Sequence, residues 1–183
     1  DWVGTSMGAL LGIVMAAQPR TPVARLVVND AGPVIEAAAL ARIGDYVGLD
    51  PTFASYAEAE RYIRAVSAPF GALTDAQWEH LARTCVAQRA GGRWGLTYDP
   101  GIAVPFRAAA APPDLWPVWD AIRCPTLVLR GAQSDLLSPA TAAAMAARGP
   151  RPRVVEFAGV GHAPMLLAPD QYGPVVEFLR AAD

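Results

Sequence analysis

The pentapeptide Gly4-Thr5-Ser6-Met7-Gly8, set between Asp1-Trp2-Val3 and the apolar run Ala9–Gln18, constrains this chain more than any other segment. Asp1-Trp2-Val3 reads as the end of a strand, and Ala9–Gln18 as a buried helix that Pro19 stops. A G-x-S-x-G run that closes a strand and opens a helix puts its serine on a tight turn with strained backbone dihedrals. Small residues two before and two after the serine are expected to relieve crowding between strand and helix. The Ser6 hydroxyl would then stand above the C-terminal edge of a sheet. The N–H of Met7 would point into the same space as a donor to a developing oxyanion.

The rest of the chain reads as strands alternating with helices, interrupted once. Ala24–Asn29 is a mostly continuous apolar run, which suits a strand buried on both faces of a parallel sheet. Pro125–Arg130 and Arg153–Phe157 are further strands, and Pro139–Arg148 and Gln171–Ala182 are helices. This alternation implies an α/β fold, a parallel sheet with right-handed crossovers. From Val34 to about Trp116 the pattern is helical instead, over Ile35–Val47, Tyr56–Val66 and Asp75–Arg89. Thr74-Asp75-Ala76-Gln77 reads as a capping box opening the third of these helices. Turn-rich segments follow at Gly91–Trp94 and Tyr98–Gly101, and Ala108–Pro113 is a linker or a short helix. The expected division is a core of residues 1–33 and 117–183 with residues 34–116 inserted into it.

Composition excludes several classes of function. With 53% hydrophobic and 17% charged residues, the 183-residue chain is not a disordered one. A net charge of −2 provides no basic patch for nucleic acid and no polybasic membrane anchor. Its apolar runs are broken well short of the roughly 18–20 residues that a spanning helix needs. Two cysteines, Cys85 and Cys124, are too few for a disulfide framework or a four-cysteine zinc site, so no metal is expected.

A serine becomes a useful nucleophile only beside a base, and the base needs an orienting acid. The chain holds two histidines. His162 lies in the Gly-rich loop Gly159-Val160-Gly161-His162-Ala163-Pro164, after the last strand, where open α/β sheets place their sites. His80 sits inside the helix Asp75–Arg89 and reads as part of a mixed helix face, with lining of a substrate cleft as its alternative role. Two carboxylates compete as the acid, each just past the end of a strand. Asp135 follows Pro125–Arg130, and Asp30 follows Ala24–Asn29. Either gives the order serine, acid, histidine. Asp135 is preferred, because its strand–helix unit immediately precedes that of His162, while Asp30 is read as capping a turn.

Gly4-Thr5-Ser6-Met7-Gly8, Gly131-Ala132-Gln133-Ser134-Asp135 and Gly161-His162-Ala163-Pro164-Met165-Leu166 together resemble the α/β-hydrolase superfamily. Leu26-Val27-Val28-Asn29-Asp30-Ala31-Gly32-Pro33 is similar to a subgroup of bacterial esterase-like members with a helical cap. The resemblance implies a chain that begins at the nucleophile turn of an α/β-hydrolase fold, and so a C-terminal portion of a longer protein. The first strands and the loop giving the other oxyanion N–H would lie upstream. It implies Ser6 as nucleophile, His162 as base, Asp135 as acid and residues 34–116 as a cap over the site. It further implies a cofactor-independent hydrolase of a small carboxylic ester, with a cytoplasmic location. Trp78, Trp94, Tyr98, Phe106 and Trp116 suggest an apolar acyl or alcohol group, although most such aromatics are core. Carbon–carbon bond hydrolysis on the same fold, or a non-catalytic binding module, are the alternatives.

Overall fold

The structure is a computed structural model and describes residues 1–104 and 113–181. Phe106, the segment 108–112 and Ala182 lie outside the described residues. In chain order the elements begin with β1 (Trp2–Thr5), α1 (Met7–Ala16), β2 (Leu26–Asn29) and α2 (Ala37–Gly44). There follow β3 (Thr52–Phe53), α3 (Tyr56–Val66), α4 (Asp75–Cys85), β4 (Val86–Gln88) and β5 (Trp94–Leu96). The last elements are α5 (Trp116–Ala121), β6 (Thr126–Gly131), α6 (Pro139–Ala147), β7 (Arg153–Phe157) and α7 (Pro169–Arg180). They group into two units, one of Asp1–Ala39, Pro69–Gly71 and Ala111–Asp183, the other of Leu40–Ala68 and Ala72–Ala110.

The first unit is built on a parallel sheet in the order β1-β2-β6-β7. Every residue of β2 and β6 is buried, which is why these strands read as unbroken Leu/Val runs and not as alternating ones. Val27, Leu127 and Leu129 pack with Phe157, Val160 and Val175 into one core cluster. The helix α1 buries Ala9, Ile13 and Ala16. A Cβ at Gly12 would lie 2.6 Å from the Trp2 ring, so α1 can approach β1 this closely only because residue 12 has no side chain. Ser138 caps α6 by accepting from the Thr141 N–H, and Pro139 occupies the first turn, where its missing N–H goes unused.

The second unit differs from the all-helical expectation. Its helices α3 and α4 lie beside an antiparallel sheet in the order β3-β5-β4. The capping box of α4 is present: Gln77 N–H donates to the Thr74 hydroxyl, and the Thr74 N–H donates to the Gln77 side chain. The helix ends at Cys85, however, and Val86-Ala87-Gln88 turns into a strand. The reason is tertiary. As a strand, Val86 pairs with Leu96 and both enter a core with Phe53, Ala59 and Ile63. Burial of this kind overrides a modest local helix preference. The hairpin turns through Gly91 at φ 78° and Gly92 at φ 77°, backbone angles that suit glycine. Trp94 and Tyr98 pack on that core and Trp78 is itself buried, while Trp116 opens α5 in the first unit. Among the described residues no helix is long and apolar enough to cross a membrane, and no group of three or more His, Cys, Asp or Glu could hold a metal.

Candidate active site

Ser6 sits between β1 and α1 with φ 54° and ψ −118°, a conformation that costs a non-glycine residue about 1–3 kcal/mol. Neighbouring hydrogen bonds hold it there. Its N–H donates to the Asn29 carbonyl at 3.0 Å, and its carbonyl accepts from Ala9 at 2.9 Å and Leu10 at 3.1 Å. The two flanking glycines are not equivalent. A Cβ at Gly4 would fall 2.2 Å from the Gly8 carbonyl oxygen, whereas a Cβ at Gly8 would meet nothing within 4 Å. The expectation of crowding on both sides of the serine is therefore corrected to one side. The Gly8 carbonyl is also used: the Trp2 indole donates to it at 2.9 Å. Met7 is the first residue of α1, so its N–H belongs to the amides that a helix start leaves without an intrahelical partner.

His162 follows β7, and its Nε2 lies 2.9 Å from Ser6 Oγ. Several contacts fix this loop. Gly161 N–H donates to the Pro69 carbonyl at 2.7 Å, and Gln133 N–H donates to the Val160 carbonyl at 2.8 Å. The Gly161 carbonyl passes so near β6 that a Cβ at Gly131 would be 2.2 Å from it. The glycine of Gly131-Ala132-Gln133-Ser134-Asp135 therefore exists to admit the histidine loop.

The acid beside His162 is Asp30, which corrects the preference for Asp135. His162 Nδ1 lies 2.7 Å from Asp30 Oδ2, and the Asp30 side chain is wholly buried. Asp135 is exposed in the loop after β6. What the end of β6 and that loop supply instead is donors. Gly131 N–H reaches Asp30 Oδ1 at 2.9 Å, and the Ser134 hydroxyl reaches Asp30 Oδ2 at 2.7 Å. The physical reason is topological: β2 lies between β1 and β6, so a carboxylate at its end is flanked by the serine turn on one side and the β6 loop on the other. Asp30 itself adopts φ 55°, at the point where the chain leaves β2.

The residue before it was not singled out from sequence and is equally central. Asn29 is fully buried, and its side-chain amide donates to the Thr5 hydroxyl at 2.9 Å and to the Pro164 carbonyl at 2.8 Å. The remaining amide oxygen has no hydrogen-bond partner among the described residues. An Asn directly before an Asp, at the end of an otherwise apolar strand, is the signal that the sequence offers. Arg130 was missed as well. It is buried at the end of β6, where it donates to the Leu137 carbonyl at 2.8 Å, donates to the Ala132 carbonyl at 3.3 Å and pairs with Glu156. His80 is exposed on α4, in the second unit.

The geometry places a hydroxyl, an imidazole and a carboxylate in one hydrogen-bonded series, the arrangement that makes a serine nucleophilic. The family model of the alpha/beta hydrolase family matches residues 1–175. The chain is 44% identical, over 191 aligned positions, to the 3-hydroxybutyrate-oligomer hydrolase of Cupriavidus necator, covering 100% of this chain and 65% of that protein. It is similar to the crystal structure of an alpha/beta hydrolase from Novosphingobium aromaticivorans, with 37% identity and a TM-score of 0.86 over 97% of this chain and 64% of that one. It is also similar to a protein of Rickettsia typhi assigned to the hydrolases, with 30% identity and a TM-score of 0.90 over 100% of this chain and 62% of that one. The chain thus spans less than two thirds of the length of each of these relatives.

Proposed function

This chain belongs to the α/β-hydrolase family, and we propose that it carries the catalytic residues of a serine hydrolase acting on carboxylic esters. The observation that carries the reading is the unbroken series Ser6 Oγ–His162 Nε2 at 2.9 Å and His162 Nδ1–Asp30 Oδ2 at 2.7 Å. In the reaction, Ser6 Oγ attacks the ester carbonyl carbon as its proton passes to His162 Nε2. The negative charge that develops on the carbonyl oxygen is met by the Met7 N–H at the start of α1. Collapse of the tetrahedral species expels the alcohol, which takes the proton from His162. Water then attacks the acyl-serine by the same route, releasing the acid and restoring Ser6. Asp30 keeps the imidazole oriented and stabilises the imidazolium formed at each attack.

A substrate class is supported by the Cupriavidus necator relative, whose name specifies oligomers of 3-hydroxybutyrate. We extend to this protein the same class, short oligoesters of a 3-hydroxy acid. Each cleavage would release one free carboxylate and one free hydroxyl. The test is hydrolysis of 3-hydroxybutyrate dimer and trimer by the full-length protein, beside p-nitrophenyl esters and a vinylogous diketone acid, with Ser6→Ala as control. Ester cleavage abolished by Ser6→Ala supports the reading. Turnover confined to the diketone acid, or ester cleavage that survives Ser6→Ala, overturns it.

A further inference from the structure

The Ser134 hydroxyl has a hydrogen-bond arrangement with a single solution. It is buried, and it accepts from the Leu136 N–H and from the Leu137 N–H, each at 3.2 Å. A hydroxyl has two acceptor sites and one proton. With both acceptor sites taken by backbone amides, the proton is left for Asp30 Oδ2 at 2.7 Å. Asp30 Oδ1 meanwhile receives the Gly131 N–H at 2.9 Å. The oxygen that receives the Ser134 hydroxyl, Asp30 Oδ2, is also the one that faces His162 Nδ1 at 2.7 Å. Against a carboxylate at Asp30, the imidazole proton on Nδ1 faces Oδ2 and Nε2 is the acceptor for the Ser6 hydroxyl.

We propose that Ser134 is a positioning residue of the site, which relays the fixed direction of the Leu136 and Leu137 amides to Asp30, holding Oδ2 toward His162 Nδ1 and sharing its negative charge. This rests on the hydrolase reading above, yet it concerns a residue outside the reacting series. The loop that presents Ser134 is itself fastened from beneath. Arg130 donates to the Leu137 carbonyl at 2.8 Å and to the Ala132 carbonyl at 3.3 Å, at the two ends of the turn. The β6 loop therefore does not supply the acid but aims it.

The test uses full-length protein with Ser134→Ala, Ser134→Cys and Ser134→Thr, and Asp135→Asn as the neighbouring control. The first readout is the proton resonance of His162 Nδ1–H, assigned by its loss in a His162→Gln protein. Loss of the Ser134 donor concentrates negative charge on Asp30 Oδ2, so the resonance moves further downfield in Ser134→Ala and returns in Ser134→Thr. Ser134→Cys fills the site without a strong donor and behaves as the alanine variant if that one does not fold. The second readout is turnover. In Ser134→Ala, kcat falls roughly tenfold with little change in KM, about what partial loss of one hydrogen bond to a charged group implies. The low-pH limb of the kcat/KM profile moves to higher pH. Asp135→Asn leaves resonance and limb in place. A folded Ser134→Ala or Ser134→Cys protein with both unchanged, and only a lower melting temperature, overturns the proposal. The resonance comparison needs no turnover, so it decides the role of Ser134 even if Ser6→Ala has refuted the hydrolase reading.

Discussion

The side-chain amide of Asn29 donates to the Pro164 carbonyl at 2.8 Å and, with its other proton, to the Thr5 hydroxyl at 2.9 Å. One buried side chain thus ties the residue before the nucleophile to the loop that carries the base, while its own neighbour in sequence is the acid. The Pro164 carbonyl can only accept, which fixes the amide nitrogen toward it. Asn29→Ala would leave that carbonyl unpaired in a buried place, at about 1–3 kcal/mol of stability. It would also free the His162 loop. A displacement on the order of 1 Å is enough to lower turnover about 10²-fold. Steady-state kinetics on a p-nitrophenyl ester should show this in kcat, with KM little affected. Asn29→Asp should do no better, because a carboxylate cannot donate to the Pro164 carbonyl.

Exchange of the two candidate acids gives opposite outcomes. Asp30→Asn removes the acceptor from His162 Nδ1 and sets an amide against two donors, Gly131 N–H and the Ser134 hydroxyl. The imidazole loses the tautomer it needs, a change that lowers kcat by about 10⁴-fold in serine hydrolases of this design. Asp135→Asn alters an exposed carboxylate in the following loop. Its kcat should stay within a few-fold of wild type. Parallel burst titration with a fluorophosphonate reads the same contrast through the rate of Ser6 labelling.

The same pair shows how far the sequence could be read. The serine turn, the histidine loop and all four parallel strands follow from local pattern, because each couples an apolar run to glycine or proline at its end. The choice of acid does not, since it depends on which strand lies beside β1. Both Asp30 and Asp135 stand after a buried strand, and only the order β1-β2-β6-β7 separates them. The hairpin β4–β5 was hidden for a related reason. Val86-Ala87-Gln88 continues the α4 pattern in sequence and becomes a strand only through Leu96 and the core of the second unit. Asn29 shows in the sequence only as a polar residue closing an apolar strand, and Ser134 carries no local signature. Their roles exist only in the partners that other strands bring to them.

Acid should weaken the first unit at an identifiable pair. Both carboxylate oxygens of Asp120 on α5 receive the Arg148 guanidinium, which also lies over the Trp116 ring at 4.4 Å. The hydrogen bond from Arg148 holds the Asp120 carboxyl below its ordinary value of 3.8, with the guanidinium charge acting in the same direction. A carboxylate whose folded value is depressed stabilises the fold above its unfolded value, and that contribution is lost as pH falls through the folded one. Urea unfolding midpoints of wild type and Asp120→Asn should therefore differ most at neutral pH and converge below the ordinary carboxylate range. High salt should narrow the neutral-pH gap, since the pair is partly exposed.

Substitution at the two glycines of the serine turn separates packing from pattern. A Cβ at Gly4 would lie 2.2 Å from the Gly8 carbonyl oxygen and 2.6 Å from the Ala9 nitrogen, all backbone atoms that cannot step aside. Gly4→Ala must push β1 away from the first turn of α1, a strain of at least about 1–3 kcal/mol. Because Ser6 hangs between those two elements, its Oγ should leave the 2.9 Å reach of His162. Gly8→Ala adds a methyl where nothing lies within 4 Å, at a position already in the helix. It should be neutral or raise stability by up to about 1 kcal/mol through better helix propensity. Thermal melts together with fluorophosphonate labelling rates check both. A Gly8→Ala protein as damaged as Gly4→Ala would mean that both glycines of the G-x-S-x-G run are sterically required, contrary to the one-sided crowding seen here.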